Sequence, residues 1–548
     1  MKLKNSRTAR TPLAKALRLA RTANRRDAPP ADELVEMRRE SARPGTRAPW
    51  TRRRFLKTSA AAAAVTLAGG SVLASRKKKT KCAKAKGAAP RIAVVGAGLA
   101  GLSAAYKLKK LGHRAEVYEA AKRMGGRIYT AYDVMAPGLF AELGGEWVNE
   151  DHEEVLSLVK ELGLELSDLN APSEGKLLSS NYFEGTNYTD AQLIEALQPV
   201  VALMEDDIRT LRKAYRAYMR GNLEKARSLA APLDEISMEE YLDRIGASGW
   251  VRTFLDVASG SNGGLEPGQQ TAINILGSVY LEPPSMYLFD EGEERYKIVG
   301  GCQGIIRGLA DGLDEGQVKP AHRLEAVKSS GDGFTLTFQD PKGSALDVKA
   351  DFVIMTVPFS ILRDIEMRME MPPDIKKAIA EMGYGVHTKL LAGVDKRVWR
   401  EKGYSGGAYT DEPFQVAYDN SQMTGYEGDV GGLTFYLGGQ ASIDAGAGTA
   451  PEQVERLMLG AEKVFPGVTA VLNGKTHRFD WGAYPYALGG YPCLKPGQLT
   501  TFGDPSEPLG NMLFAGDHCS EYGGYINGAV ESGMRVAKDL VDRLGGKA

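Results

Sequence analysis

The chain has 548 residues with 69 basic and 69 acidic side chains, so its formal net charge is zero. Residues 1–90 hold 24 of the basic and only 5 of the acidic ones, which leaves 45 basic and 64 acidic residues in the rest, a body with 19 excess negative charges. That balance disfavours nucleic acid as a partner and favours small cationic ligands, and the length suffices for two domains.

Residues 1–50 precede "TRRRFLKTSAAAAAVTLAGG" (51–70). Adjacent arginines, then Phe55-Leu56-Lys57 and a weakly apolar Ala-rich run, read as a twin-arginine export signal over 51–75, with cleavage near Ala74. Lys57, Thr58, Ser59 and Thr66 interrupt the run, so its drive into lipid is weak, and export to the periplasm or beyond is favoured over a membrane anchor. The twin-arginine translocase, which carries folded cargo, would be a partner during export. Such signals normally begin near a chain's start, so Met37 is a candidate initiator and 1–50 reads as a doubtful or disordered extension; 76–89 is a basic linker. Cys82, Cys302, Cys493 and Cys519 form no CxxC pair and no zinc-like spacing with the six histidines. Free thiols and no metal are expected for a chain that folds in the cytoplasm.

"RIAVVGAGLAGLSAAYKLKKLGHRAEVYEA" opens with an apolar run, Ile92 to Val95, that reads as a buried parallel strand. Gly96, Gly98 and Gly101 follow at GxGxxG spacing and lead into a helix. They permit a tight turn, a close pyrophosphate and close helix–strand packing, with the helix N-terminus toward the phosphates. A second strand, Ala115 to Tyr118, delivers Glu119 to accept the ribose hydroxyls. Beyond it, Arg123, Gly125, Gly126 and Arg127 would bring amides and a guanidinium to the same pyrophosphate, a wrap suited to a cofactor that stays bound.

From these motifs, "ELGGEWV" (142–148), "ADFVIMTVP" (350–358) and "NMLFAGDHCSEYGGYINGAVESGMRVAKDL" (511–540), the chain resembles the flavin-containing amine oxidase family of monoamine, polyamine and L-amino-acid oxidases. The resemblance implies an α/β fold: a Rossmann-like FAD-binding domain from 90–172, 296–372 and 482–546, and a discontinuous α+β substrate domain from 173–295 and 373–481. It places Gly144 and Gly145 beside the flavin, Gly516 and Asp517 at the ribityl chain, and Tyr525 and Ile526 where a helix N-terminus points at the isoalloxazine.

Between the nucleotide segments, "TDAQLIEALQPVVALMEDDIRTLRKAYRAYMRG" has helical spacing from a Thr189 or Asp190 cap. "GYGVHTKLLAGV" resembles the family's strand whose lysine, here Lys389, reaches the flavin N5 edge through a water. Trp481 would pack near that water, and Tyr491 and Tyr525 would form an aromatic cage around a neutral amine. Tyr491 stands after Gly489-Gly490 where mammalian monoamine oxidases carry a flavin-bound cysteine, and Cys493 comes two residues too late, so noncovalent FAD is expected. Where venom-type L-amino-acid oxidases place a carboxylate-binding arginine, this chain has Glu146, Glu150 and Asp151, which would attract an ammonium. The implied reaction is hydride transfer from an amine to flavin N5, with O2 as acceptor, giving aldehyde, ammonia or amine, and H2O2. Alternatives are an L-amino-acid oxidase, a flavin desaturase or porphyrinogen oxidase, and a non-catalytic secreted flavoprotein; a homodimer is possible.

Overall fold

The computed structural model describes residues 12–24, 28–35, 89–280 and 294–545. The twin-arginine segment, Met37, Cys82 and most of the basic linker lie outside the described residues. Among the described residues no helix is long and apolar enough to cross a membrane.

The elements that position the site are, in chain order, helix α1 (Pro12–Ala23), strand β1 (Ile92–Val95), helix α2 (Leu99–Lys110), strand β2 (Ala115–Tyr118), helix α3 (Asp190–Met219), strand β3 (His387–Val394) and helix α4 (Ile526–Arg543). β1 and β2 lie in a five-stranded parallel sheet ordered Met512–Phe514, Phe352–Met355, β1, β2, Val318–Lys319. Ile92 and Val94 pack toward α2 and α4, and Ala93 and Val95 pack toward Phe334, Leu336 and Phe359. Burial on both faces is why β1 is uniformly apolar instead of alternating.

A seven-stranded sheet forms the second unit. It runs Leu472–Asp480, β3, Gly431–Gly438, Val416–Asp419, Tyr404–Thr410, Leu178–Phe183, Thr186–Tyr188. α3 covers this side and starts from a capping box: Thr189 Oγ1 accepts from Gln192 N at 3.2 Å while Gln192 Oε1 accepts from Thr189 N at 2.9 Å. The α/β architecture with a Rossmann-like sheet and separate sheets is therefore the one expected.

The N-terminal extension is a correction. Residues 12–24 and 28–35 are not disordered: α1 buries Leu13, Ala16, Leu17 and Ala20 against α3 and the helix Ala272–Tyr280, and Ala31 and Val35 join the same core. Those α1 positions follow the i, i+3, i+4, i+7 spacing of an amphipathic helix, a signal present in the sequence.

At the turn after β1, Gly96 holds φ +106°, and a Cβ at Gly101 would lie 1.9 Å from Gly96 O. Gly101→Val must therefore push α2 off β1, and we expect flavin released by acid per mole of protein to fall by more than about half, against a folded circular-dichroism spectrum.

Candidate active site

A cavity of about 1070 Å³ runs from the carboxyl ends of β1 and β2 into the space between the two sheets. At its nucleotide end α2 begins at Gly98, whose position carries no side-chain cap, so the first amides of the helix are left for an anion. Glu119 follows β2 directly. Its two oxygens accept from Ala97 N at 2.7 Å and Ala121 N at 2.8 Å, which fixes the carboxylate and leaves a lone pair on each oxygen for further donors. Burial raises the Glu119 carboxyl, and those amides oppose the shift. A Cβ at Gly98 would be in ordinary contact with Gly126 Cα at 3.8 Å, so the two glycine turns face each other closely. An uncapped helix end, a glycine-lined wall and a fixed acid fit the phosphates and ribose of FAD.

The two arginines of the second glycine turn do different work. Arg123 donates to Gly126 O (2.5 Å) and Ile128 O (3.1 Å) and lies 4.3 Å over the Tyr129 ring, so it shapes the turn. Arg127 donates to Asp517 Oδ1 at 2.6 Å and Oδ2 at 3.1 Å, and to Gly490 O at 2.8 Å. Burial would raise the Asp517 carboxyl, but the Arg127 guanidinium holds it well below the usual carboxylate range. Asp517 and Arg127, expected at the ribityl chain and the pyrophosphate, thus meet each other. Gly516, at φ +143°, donates its N–H to Ser532 Oγ at 2.9 Å, anchoring this corner to α4.

The segment Glu142–Glu146 is pinned carbonyl by carbonyl from the other unit. Lys389 Nζ donates to Glu142 O (2.9 Å), Gly144 O (3.0 Å) and Glu146 Oε2 (3.1 Å), and Trp481 Nε1 donates to Leu143 O at 2.6 Å. The three partners account for all three ammonium protons of Lys389. A water contact of the expected kind requires one of these bonds to be given up. A Cβ at Gly144 would lie 1.9 Å from Arg127 O, and one at Gly145 would lie 3.0 Å from Ile526 Cγ1, so Gly144 permits close layering onto Arg127 and Gly145 onto the start of α4.

Glu146 lines the cavity, but its charge is compensated. Lys297 stands 2.9 Å from Oε1, Lys389 3.1 Å from Oε2, and Tyr418 Oη donates to Oε2 at 2.8 Å. Burial would raise this carboxyl; the two lysines bring it below its ordinary value. Glu150 pairs instead with Arg295 at 3.4 Å, and neither it nor Asp151 lines the cavity. The expected acidic attraction for an ammonium is therefore not what this loop supplies.

The aromatic lining around the expected cage residues includes more than those two tyrosines. Tyr491 and Tyr525 line the cavity, with Tyr525 at the N-cap of α4 and its ring edge-on to His152 at 5.2 Å. Tyr491 Oη donates to Asn262 O and meets Tyr436 Oη at 2.9 Å. His387 sits between these rings, 5.2 Å from Tyr436 at an interplanar angle of 8° and 4.6 Å from Tyr491. Burial lowers its imidazole to about 4 against a weak opposing pull from the carbonyls of Asn262, Ser261 and Gly385, so the ring is neutral. A Cβ at Gly490 would lie 2.4 Å from His387 Nδ1, which explains a glycine there. His387, Tyr436, Lys297 and Asn262 were missed from sequence; the His-x-Lys spacing on an alternating strand was the one available signal, since it places His387 and Lys389 on one face.

Among the described residues, the basic side chains lining the cavity are Arg123, Arg127, Arg323, Lys389 and Arg535. Each is engaged: Arg323 with Glu325 at 2.8 Å, Arg535 with Glu531 at 2.8 Å, and the others as above. Cys302, Cys493 and Cys519 are buried free thiols. Burial pushes Cys493 up to about 12, and its Sγ accepts from Asn274 Nδ2 at 3.5 Å, so it is no nucleophile toward a flavin.

A family model described as flavin containing amine oxidoreductase matches residues 99–541, and the chain belongs to that family. It is a flavin-dependent oxidoreductase. An L-amino-acid oxidase of Gloydius blomhoffii is 25% identical over 480 residues, covering 82% of this chain and 88% of that one. A flavin-containing amine oxidase of Oncorhynchus mykiss is 27% identical over 467 residues, covering 83% and 86%. Among solved structures, cyclohexylamine oxidase from Brevibacterium oxydans IH-35A aligns with a TM-score of 0.70 at 23% identity over 84% of this chain and all of that one. Putrescine oxidase bound to putrescine aligns at 0.68 and 22%, over 83% and 99%.

Burial raises Glu142 to about 7, although Cys302 N (2.6 Å) and Thr130 Oγ1 (2.9 Å) donate to it. A carboxyl raised above its unfolded value contributes stability that is full below pH about 4.5 and is lost as pH rises through 7. Holoprotein stability should therefore fall relative to Glu142→Gln between pH 5 and 8, by about 3 kcal/mol in parallel denaturant titrations. A pH-independent difference would contradict the assignment.

Proposed function

We propose that this amine oxidase acts on a neutral primary or secondary amine, yielding an imine that hydrolyses to aldehyde and ammonia or amine, with oxygen reduced to H2O2. The observation that carries the reading is that every described cation lining the cavity already has a protein acceptor, while the walls around the cage are aromatic. At Lys389 or Arg127 a substrate carboxylate would compete with Glu146 or Asp517. Aromatic faces instead accept an amine without a fixed counter-charge.

FAD, held noncovalently, supplies the hydride acceptor and the route to oxygen when bound. The residues of this chain bind and orient. Tyr491 and Tyr525, which both line the cavity, would form the walls of the amine site, with Tyr491 fixed by Tyr436, Asn262 and the wedged His387. Lys389 and Trp481 hold the Glu142–Gly144 backbone against them. Burial keeps His387 neutral and raises the phenols of Tyr436 and Tyr491, so none of these three titrates between pH 7 and 9. The amine must then enter already deprotonated. Export by the twin-arginine route, after the flavin is loaded in the cytoplasm, belongs to the same proposal.

Purified yellow protein tested for peroxide against monoamines, diamines, polyamines and L-amino acids should turn over amines. Activity should rise from pH 7 to 9 with the substrate's own ionisation. Turnover confined to L-amino acids, or a rate that falls over that range, would overturn the reading. Tyr491→Ala should lower kcat/KM by about 10- to 100-fold with flavin content retained.

A further inference from the structure

A segment that precedes the Arg-Arg run in sequence lines the cavity of the candidate site. Leu13, Ala16, Leu19 and Val35 line the same cavity as Tyr491 and Lys389. The contact is built, not incidental. Leu17 and Leu34 are wholly buried, α1 lies across α3 and the helix Ala272–Tyr280, and Met204, Ile208 and Leu276 share its core. Polar contacts fix its register: Arg21 forms a two-pronged pair with Glu205 on α3, Nη2 to Oε1 at 2.7 Å and Nε to Oε2 at 2.9 Å, and Asn24 Nδ2 donates to Gln198 O at 2.7 Å.

We propose that residues 12–24 and 28–35 are a retained wall of the substrate chamber that narrows access to the aromatic cage. Two consequences follow from chain order. A chain begun at Met37 lacks the wall altogether. If the signal is cut near Ala74, the wall is no longer covalently joined to the body, and it stays as a noncovalently held piece, because release would expose the apolar faces of α3 and the helix Ala272–Tyr280 to water.

The test uses the flavin-loaded full chain with a site-specific protease sequence inserted between Lys81 and Gly87. After cutting, the N-terminal piece should co-elute with the yellow body on size exclusion. Arg21→Glu should weaken retention by about tenfold, Glu205→Arg likewise, and the two together should restore it, a reciprocity that general misfolding does not produce. Release by Leu17→Glu should raise kcat/KM for a bulky diarylalkylamine at least about fivefold relative to a slender alkylamine. A wild-type piece that elutes apart from the body would overturn the proposal, as would release without change in that ratio. The kinetic half rests on the amine reading. If no amine is oxidised, that reading fails by itself, and co-elution with the charge swap still decides this one.

Discussion

The structure depends on one cross-unit clamp. Lys389, on a strand of the seven-stranded sheet, and Trp481, just beyond the neighbouring strand, together hold three consecutive carbonyls of Glu142, Leu143 and Gly144. That backbone is layered directly on Arg127 and Ile526 at the nucleotide side. The clamp therefore sets the distance between the walls that would hold the substrate and the segments that would hold the flavin. Its charge is balanced within the protein by Glu146, itself shared with Lys297. Removing one member of a buried ionic group strands the others, at a cost of about 3–5 kcal/mol. The arrangement is rigid for that reason, and a rigid wall is what holding a reacting carbon at a fixed distance demands.

A second consequence is electrostatic. The charges around the cavity are paired off before any substrate arrives: Arg127 with Asp517, Lys389 with Glu146, Arg400 with Glu174. Around the cage stand Tyr436, Tyr491 and His387, the last kept uncharged by burial between two tyrosines, with the Glu294 carboxylate adding to the upward push on both phenols. The acidic excess of the body acts at longer range, where it attracts cations without committing a particular carboxylate to them.

Much of the nucleotide half was legible because its signals are local. The glycines at 96, 98 and 101, the uniformly apolar β1 and the acid at 119 lie within one strand–turn–helix–strand unit, where spacing alone fixes geometry. The substrate side was legible only through resemblance. Tyr436 lies opposite Lys389 by antiparallel register, and Lys297 reaches Glu146 from a strand about 150 residues further along the chain. No local pattern encodes such pairings. The Arg127–Asp517 pair shows the same limit: each residue was placed in its motif, but which atoms it would meet depended on how two distant turns converge. The N-terminal helix differs in kind. Its apolar stripe, Leu13, Ala16, Leu17 and Ala20, is local and legible, but which surface it covers depends on helices more than 150 residues further along the chain.

The central claim is that the cage holds a neutral amine in position to lose hydride. Its most direct test is anaerobic mixing of the yellow holoprotein with an amine carrying hydrogen or deuterium at the carbon next to nitrogen, following the loss of flavin colour in a single turnover. The account predicts bleaching that deuterium slows several-fold and that quickens as pH rises through the amine's own ionisation. Colour that persists with every amine tried would contradict it.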